Sequence, residues 1–310
     1  MGIFEFLIGR PLGFIMSLFY SLCNNFSISI ILFTLFVTLV LMPLDIRQQK
    51  TMAKQARLAP KLEALKKKCG DDRQKYQQEM AELYQREHVS LTGGCLMLFI
   101  RFPILIGVYG AIRNPLSYIL NISSDAIASA KQILTDLGIG HQNMTELDII
   151  RNAGALGDRV PEVTNAAHQL DFNFLGLDLS QQPEFSINIF KDFQMIWLIP
   201  ILACVCSLIT AILSSYINKK NNPQAKSQLL MLIILGPVLS LIIAFTVPGA
   251  VGFYWACSNL FGGILRVVIS QIYTPNKINA KTDFNLIIKR RKEEELIKQK
   301  VKNTSAAEQI

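Results

Sequence analysis

The sequence predicts an all-α polytopic membrane protein, five transmembrane helices carrying a cytoplasmic helical hairpin, on three observations. The 310 residues are 51% hydrophobic and only 17% charged, with a mean hydropathy of +0.32. Soluble domains carry roughly a quarter charged residues. The apolar residues are blocked: no charge interrupts Pro11 to Leu44, Phe193 to Ile217 or Ser227 to Leu265, and only Arg101 interrupts Thr92 to Ile112. Basic residues, in turn, are concentrated in alternate connections. This composition excludes a disordered chain, a collagen-like or mucin-like fibre and a small disulfide scaffold, and it argues against an ordinary cytosolic enzyme.

Taken in order, residues 1–25 lack the charged start of a signal peptide, since Glu5 precedes Arg10. Leu12, Ile15, Met16, Leu18, Phe19 and Leu22 suit an interfacial helix at the outer surface, retained in the mature protein. A membrane crossing needs ~20 apolar residues for ~30 Å of hydrocarbon. That requirement places spans at 26–44, 94–112, 194–216, 228–247 and 250–272. The last two share one uncharged block, broken at Pro248-Gly249, which cannot continue a helix and suits a tight turn.

Residues 45–93 predict an αα-hairpin. Met52, Ala56, Ala59, Leu62 and Leu65 recur at helical spacing, as do Tyr76, Met80, Leu83 and Tyr84. Between the arms, Lys66, Lys67 and Lys68 complement a helix end, Gly70 supplies a turn, and Asp71 and Asp72 begin the second arm. Pro60 is placed to kink the first arm. The 113–193 segment is acidic and receives no fold from its pattern. Leu147 to Ile150 suits a helix, and Phe172 to Leu179 alternates like a short strand or an extended segment. Asn121-Ile122-Ser123 and Asn143-Met144-Thr145 read as chance glycosylation patterns.

Orientation follows from charge. Residues 45–93 hold eleven Lys/Arg, 217–228 three and 273–310 nine, whereas 113–192 hold five against ten Asp/Glu. The positive-inside rule puts the 45–93 hairpin, the 217–227 loop and the 273–310 tail in the cytoplasm, with the N-terminus out. The tail holds a basic cluster, Lys289 to Lys292, that suits anionic lipid or RNA, but Glu293, Glu294 and Glu295 follow at once.

Reaction motifs are missing. His88, His141 and His168 are isolated, and the six cysteines (Cys23, Cys69, Cys95, Cys204, Cys206, Cys257) are scattered. There is no phosphate-binding loop, dinucleotide fingerprint or nucleophile elbow. Neither an enzyme nor a cofactor or metal is expected. Arg101 stands out, about seven residues (~10 Å) inside the second span, where a charge costs ~2.5–3.5 kcal/mol. It either snorkels toward the cytoplasm or is the fixed charge of a water-filled groove. Thr34 and Thr38 on the first span, Ser207, Thr210 and Ser214 on the third, and Ser258 and Asn259 on the fifth are candidate groove walls, although lone hydroxyls commonly bond their own helix. Arg266 reads as an interface anchor.

Across residues 10–275 the chain resembles the YidC/Oxa/Alb membrane-protein insertase family, in its short bacterial type. The matching words are Ser29-Ile30-Ile31 leading to Met42-Pro43-Leu44, Gln49-Lys50, Leu58-Ala59-Pro60-Lys61, Gly70-Asp71-Asp72 and Glu79-Met80 with Leu83-Tyr84. They continue with Gly94-Cys95, Pro103-Ile104 with Tyr109, Pro248-Gly249, Tyr254-Trp255 and Ser258-Asn259. The resemblance implies an insertase with a hydrophilic inner-leaflet groove whose arginine attracts acidic client segments, and a hairpin, here including Pro60, Gly70, Asp71 and Asp72, that receives clients. Its implied partners are nascent membrane proteins with short acidic extracytoplasmic segments, the lipid bilayer, the ribosome through the basic tail, and the Sec translocase. One departure matters. The family's first-span T-x-x-x-R reads Thr34-Leu35-Phe36-Val37-Thr38 here, and Arg101 stands where a second-span glutamine is usual. The expectation is that the groove charge has moved to the facing wall. A non-inserting assembly chaperone is the alternative class. A secondary transporter is disfavoured because the spans hold no acidic coupling residue.

Overall fold

The computed structural model describes residues 9–87, 89, 96–140, 144–186, 193–221 and 226–307. Helix α1 (Arg10–Cys23) turns at Asn24, which sits in the left-handed region at φ 48°. It leads into α2 (Phe26–Cys69), where the Asn25 side chain accepts from the Ile28 N–H at 3.0 Å, an N-cap. α1 packs so closely on the chain beyond the second apolar stretch that a Cβ on Gly13 would stand 2.6 Å from Tyr118 Cβ. Its other side exposes Phe14, Leu18 and Leu22, one stripe at i, i+4, i+8.

α2 runs unbroken for 44 residues, about 66 Å at 1.5 Å per residue. The first apolar stretch and the first hairpin arm are therefore one rod, although the composition changes from apolar to charged at Asp45. Pro43 and Pro60 both lie inside it; each removes one backbone hydrogen bond, and no glycine or capping residue accompanies either to end the helix. The stop comes at Gly70, φ 56°, after Lys66, Lys67 and Lys68. Asp72 then accepts from the Lys75 N–H at 3.0 Å and starts α3 (Arg73–Arg86). The arms are tied by Lys68 to Glu79 at 3.2 Å and by Lys61 to Glu87, exposed pairs of small individual worth.

α4 (Leu96–Arg113) is followed by four short helices: α5 (Pro115–Tyr118), α6 (Ser124–Asp136), α7 (Glu146–Arg151) and α8 (Pro161–Gln169). Their starts are written locally. Ser123 caps α6, Thr145 and Asp148 form a reciprocal capping box on α7, and Pro161 opens α8. β1 (Asn173–Phe174) and β2 (Leu177–Asp178) pair antiparallel with Phe174 opposite Leu177. Leu175 and Gly176 between them both take positive φ, 52° and 83°, the pattern of a type I′ turn. Glu146 is buried; it accepts from the Ser117 N–H at 3.0 Å and from the Ser117 hydroxyl. Burial pushes its carboxyl above the ordinary range, and the Ser117 bonds offset part of that rise.

The chain then forms α9 (Leu198–Asn221), α10 (Lys226–Phe245), α11 (Gly249–Ile272) and α12 (Pro275–Ala307). α9 packs on both α10 and α11, while α2 receives α11 and, further along, α12. A Cβ on Gly263 would meet Thr210 Oγ1 at 2.5 Å, and one on Gly252 would meet Ile199 Cγ2 at 2.9 Å. Two glycines thus set how near α11 lies to α9. By length and composition, α2, Met195–Ile217 and α11 can each cross a membrane; Pro103–Arg113 and Ile233–Phe245 are shorter apolar helical stretches. Their outward faces expose Ile212, Val238 and Ile264 among many aliphatic side chains, a belt too extensive for a water-facing surface.

One end of the helices is sealed by the segment after α8. The Phe26 N–H donates to Asp171 O at 3.2 Å, the Gly249 N–H to Gln181 O at 2.7 Å and the Ala250 N–H to Leu179 O at 2.7 Å. One amide at the start of α2 and two at the start of α11, unpaired within their helices, are therefore satisfied by one stretch of chain. A Cβ on Gly249 would stand 2.9 Å from Ile196 Cδ1 and 3.1 Å from Gln181 O, which explains glycine there. Phe172 packs tilted against Phe26 and Phe174 against Phe253, with ring centroids 4.4 and 4.9 Å apart. The core is continuous from Phe33 and Val108 through Trp197 to Leu134 and Leu156.

Candidate functional site: a polar cavity between α2, α9 and α11

Polar side chains on apolar helices must face one another, a ligand or water. On α2, Asp45, Gln48, Gln49 and Met52 fall at i, i+3, i+4 and i+7, so one face turns polar where the apolar stretch ends. On α11, Ser258, Gly262 and Arg266 fall at i, i+4 and i+8, with Asn259 and Ile269 beside them. These two faces, closed by Thr210 of α9, enclose a cavity of about 190 Å³.

Hydrogen bonds with α9 hold its α11 wall. Thr210 Oγ1 donates to the Asn259 carbonyl at 2.9 Å, a bond made possible by the bare backbone at Gly263. Arg266 Nη1 donates to Ser214 Oγ, one turn from Thr210, at 2.9 Å. The Asn259 Nδ2 is buried and has no hydrogen-bond acceptor among the described residues. The cavity thus offers one charge of each sign, Asp45 and Arg266, with several amide and hydroxyl groups. Among the described residues no three His, Cys, Asp or Glu side chains could hold a metal. The arrangement suits solvating a polar segment at the edge of an apolar phase.

Of the residues expected at a groove, Thr210, Ser258 and Asn259 line the cavity, and Ser214 holds its arginine. Thr34 and Thr38 do not line it: their hydroxyls donate to Ile30 O at 2.6 Å and Thr34 O at 2.7 Å, back along α2. Ser207 lies toward α10, its Oγ 3.8 Å from where a Gly236 Cβ would be. Arg101 falls within α4, and its side chain lies outside the described residues, as do Gly94-Cys95, His88, His141 and Asn143. Pro60, Gly70, Asp71 and Asp72 lie in the hairpin, away from the cavity lining. The sequence reading did not select Asp45, Gln48, Gln49 or Arg266 for this site. Their helical spacing was the available signal, since Arg266 shares a face with Ser258.

The family profile described as "60Kd inner membrane protein" matches residues 18–277. Curated proteins named membrane protein insertase YidC are similar over shorter stretches. The Aeromonas hydrophila protein is 41% identical over 107 residues, 34% of this chain and 20% of the relative. The Vibrio cholerae protein is 39% identical over 107 residues, again 34% and 20%. The Oleidesulfovibrio alaskensis protein is 37% identical over 113 residues, 36% and 21%. The matched stretch therefore spans about a fifth of the length of these relatives.

Proposed function

From a chain that belongs to the 60Kd inner membrane protein family, we propose a membrane-protein insertase and chaperone that moves hydrophobic segments of nascent proteins into the bilayer. The observation that carries this reading is the cavity itself, a pocket holding Asp45, Asn259 and Arg266 among helices whose outer faces are aliphatic. The proposed setting is a bacterial inner membrane crossed five times, with α4 and α10 as the second and fourth spans. The N-terminus and the 113–193 segment lie outside; the hairpin and α12 lie in the cytoplasm. The charge distribution supports that orientation, and the seal over the outer ends of α2 and α11 accords with a groove closed outward and open inward.

A client segment docks on the hairpin of α2 and α3. Its short polar terminus enters the cavity, where Arg266, Asn259 and the glutamines of α2 replace part of its water, and where an acidic terminus is favoured by the guanidinium. Arg101 is the second candidate for that charge. The adjoining apolar segment moves into lipid, driven by burial at ~25 cal/mol per Å². No bond is made or broken. Clients with short acidic extracytoplasmic segments, the bilayer, the ribosome through α12, and the Sec translocase are the proposed partners.

The test is the purified chain in liposomes with a single-span client bearing a short acidic tail, read by protease protection of that tail. Protection above protein-free liposomes supports insertion by this chain alone. Its absence with a folded protein favours a chaperone without insertion activity. Retained protection in Arg101→Ala with loss in Arg266→Gln assigns the charge to α11, and the reverse assigns it to α4.

A further inference from the structure

Where α11 ends, a cavity of about 450 Å³ opens between α2 and α12, sharing no residue with the polar cavity described above. Lys50 and Lys54 of α2 and Lys277 of α12 line it, beside Ile272 and Tyr273. The Lys50 ammonium lies 5.4 Å from the Tyr273 ring centroid. No carboxylate is among the described residues that line it: Asp283 of α12 is engaged by Arg57 at 2.7 Å, and Asp45 lines the polar cavity.

The three lysines are placed against one another. Lys50 and Lys54 are like charges at i and i+4, which repel. Lys277 stands in the first turn of α12, at the positive end of that helix's dipole. An anion in the cavity offsets all three costs at once.

The position of the cavity selects the anion. Lys50 is six residues, ~9 Å, beyond Leu44, where the uncharged stretch of α2 ends. The headgroup layer is ~5–8 Å deep, within reach of a lysine stem. Ile272 also ends an exposed stripe of α11 that runs through Ile264 and Val268, at i, i+4 and i+8. A phosphate held by the lysines can therefore carry an acyl chain along that stripe. Free phosphate or RNA would satisfy the lysines and leave the stripe bare.

We propose that the cavity between α2 and α12 binds the headgroup phosphate of an anionic phospholipid, in the cytoplasmic leaflet of the proposed orientation, with an acyl chain against Ile264, Val268 and Ile272. The site is distinct from the basic cluster at Lys289 to Lys292. It depends on α2 and α11 as spans and not on the insertase reading, so its failure leaves that reading standing.

The experiment titrates the detergent-purified full chain with phosphatidylglycerol and reads bound lipid by native mass spectrometry. The competitors are phosphatidylcholine, which carries the phosphate without net charge, inorganic phosphate and a short RNA. One phosphatidylglycerol is expected to be retained against each of them at equal concentration. Lys50→Gln, Lys54→Gln and Lys277→Gln should each weaken it about fivefold, the scale of one basic residue at a lipid surface, while Lys277→Arg should not. Lys277 is exposed, so its variants test the site without disturbing the core. A variant combining Lys66→Gln, Lys67→Gln and Lys68→Gln removes three charges at the far end of α2 and should leave binding unchanged. Equal weakening in that variant, or undiminished binding in all three single glutamine variants, overturns the site. Displacement by inorganic phosphate or RNA overturns the lipid as its occupant, and displacement by phosphatidylcholine overturns charge as the basis of selection.

Discussion

The Arg266 guanidinium on α11 donates to Ser214 Oγ on α9 at 2.9 Å, so the cation that lines the polar cavity is positioned by a neighbouring helix. A held charge needs less reorganisation when a carboxylate arrives than a free one does. Arg266→Gln is expected to slow insertion of an acidic-tailed client about tenfold, since hydrogen bonds to charged groups are worth ~1.5–3 kcal/mol. A neutral-tailed client should be little affected, and Ser214→Ala should give a smaller loss. Initial rates of protease protection measure this, and equal losses for both clients would remove charge attraction from the mechanism.

The contact of α9 with α11 depends on a missing side chain. At Gly263 a Cβ would stand 2.5 Å from Thr210 Oγ1 and 3.4 Å from Thr210 Cβ. Gly263→Ala is expected to destabilise the protein by ~1–3 kcal/mol and to break the bond from Thr210 to the Asn259 carbonyl. Thermal unfolding in detergent reads the stability. An unchanged midpoint would mean that α9 and α11 can separate at no cost.

Leu175 occupies the first central position of the hairpin turn at φ 52° and is 88% exposed. A left-handed conformation costs an ordinary L residue ~1–2 kcal/mol, and asparagine tolerates it better. Leu175→Asn, which gives Asn-Gly at the turn, is expected to stabilise the β1–β2 hairpin by up to ~1 kcal/mol. Slower amide exchange around Phe174 and Leu177 is the measurement, and faster exchange would count against the turn assignment.

Glu146 titrates from a buried position, its carboxyl raised above the ordinary value of 4.5 by burial. A group raised in the folded state contributes stability that is complete below its unfolded pKa and is lost as pH rises through the folded one. Relative to Glu146→Gln, the wild type should lose stability as pH rises above 4.5 through the folded value, with no further loss beyond it. Glutamine retains an acceptor for Ser117 without the charge. Parallel profiles of unfolding temperature against pH for the two proteins would contradict the assignment.

Much of the helical plan was legible because its signals are local. The tight turn at Pro248-Gly249, the Gly70 stop and the Asp72 cap each reside in a few adjacent residues, and each is seen in the structure. The 113–193 segment was legible only in part. Leu147 to Ile150 lies within α7, and the alternating Phe172 to Leu179 holds β1 and β2, but the apolar residues of α6 and α8, Leu134 and Val163 among them, match no long periodicity; they bury themselves against the core. The continuity of α2 through Asp45 was also missed, because a change from apolar to charged composition marks a change of surroundings and not the end of a helix.

The candidate site divides the same way. Thr210, Ser258 and Asn259 could be chosen as polar residues on apolar helices, but so could Thr34 and Thr38, which bond their own helix. Composition cannot separate a hydroxyl that faces a cavity from one folded back on a carbonyl.

By itself the sequence determined that this protein is built of apolar helices and that breaks fall at Gly70 and at Pro248-Gly249, and its ordered words placed it near its family. Those properties depend on runs of neighbouring residues. Only the tertiary structure decided that Arg266 meets Ser214, that Asp45 and Asn259 line one cavity, and that Leu179 and Gln181 seal the start of α11. These contacts join residues tens to hundreds of positions apart, and they exist because rigid helices, spaced by Gly252 and Gly263, bring distant faces within a hydrogen bond of each other.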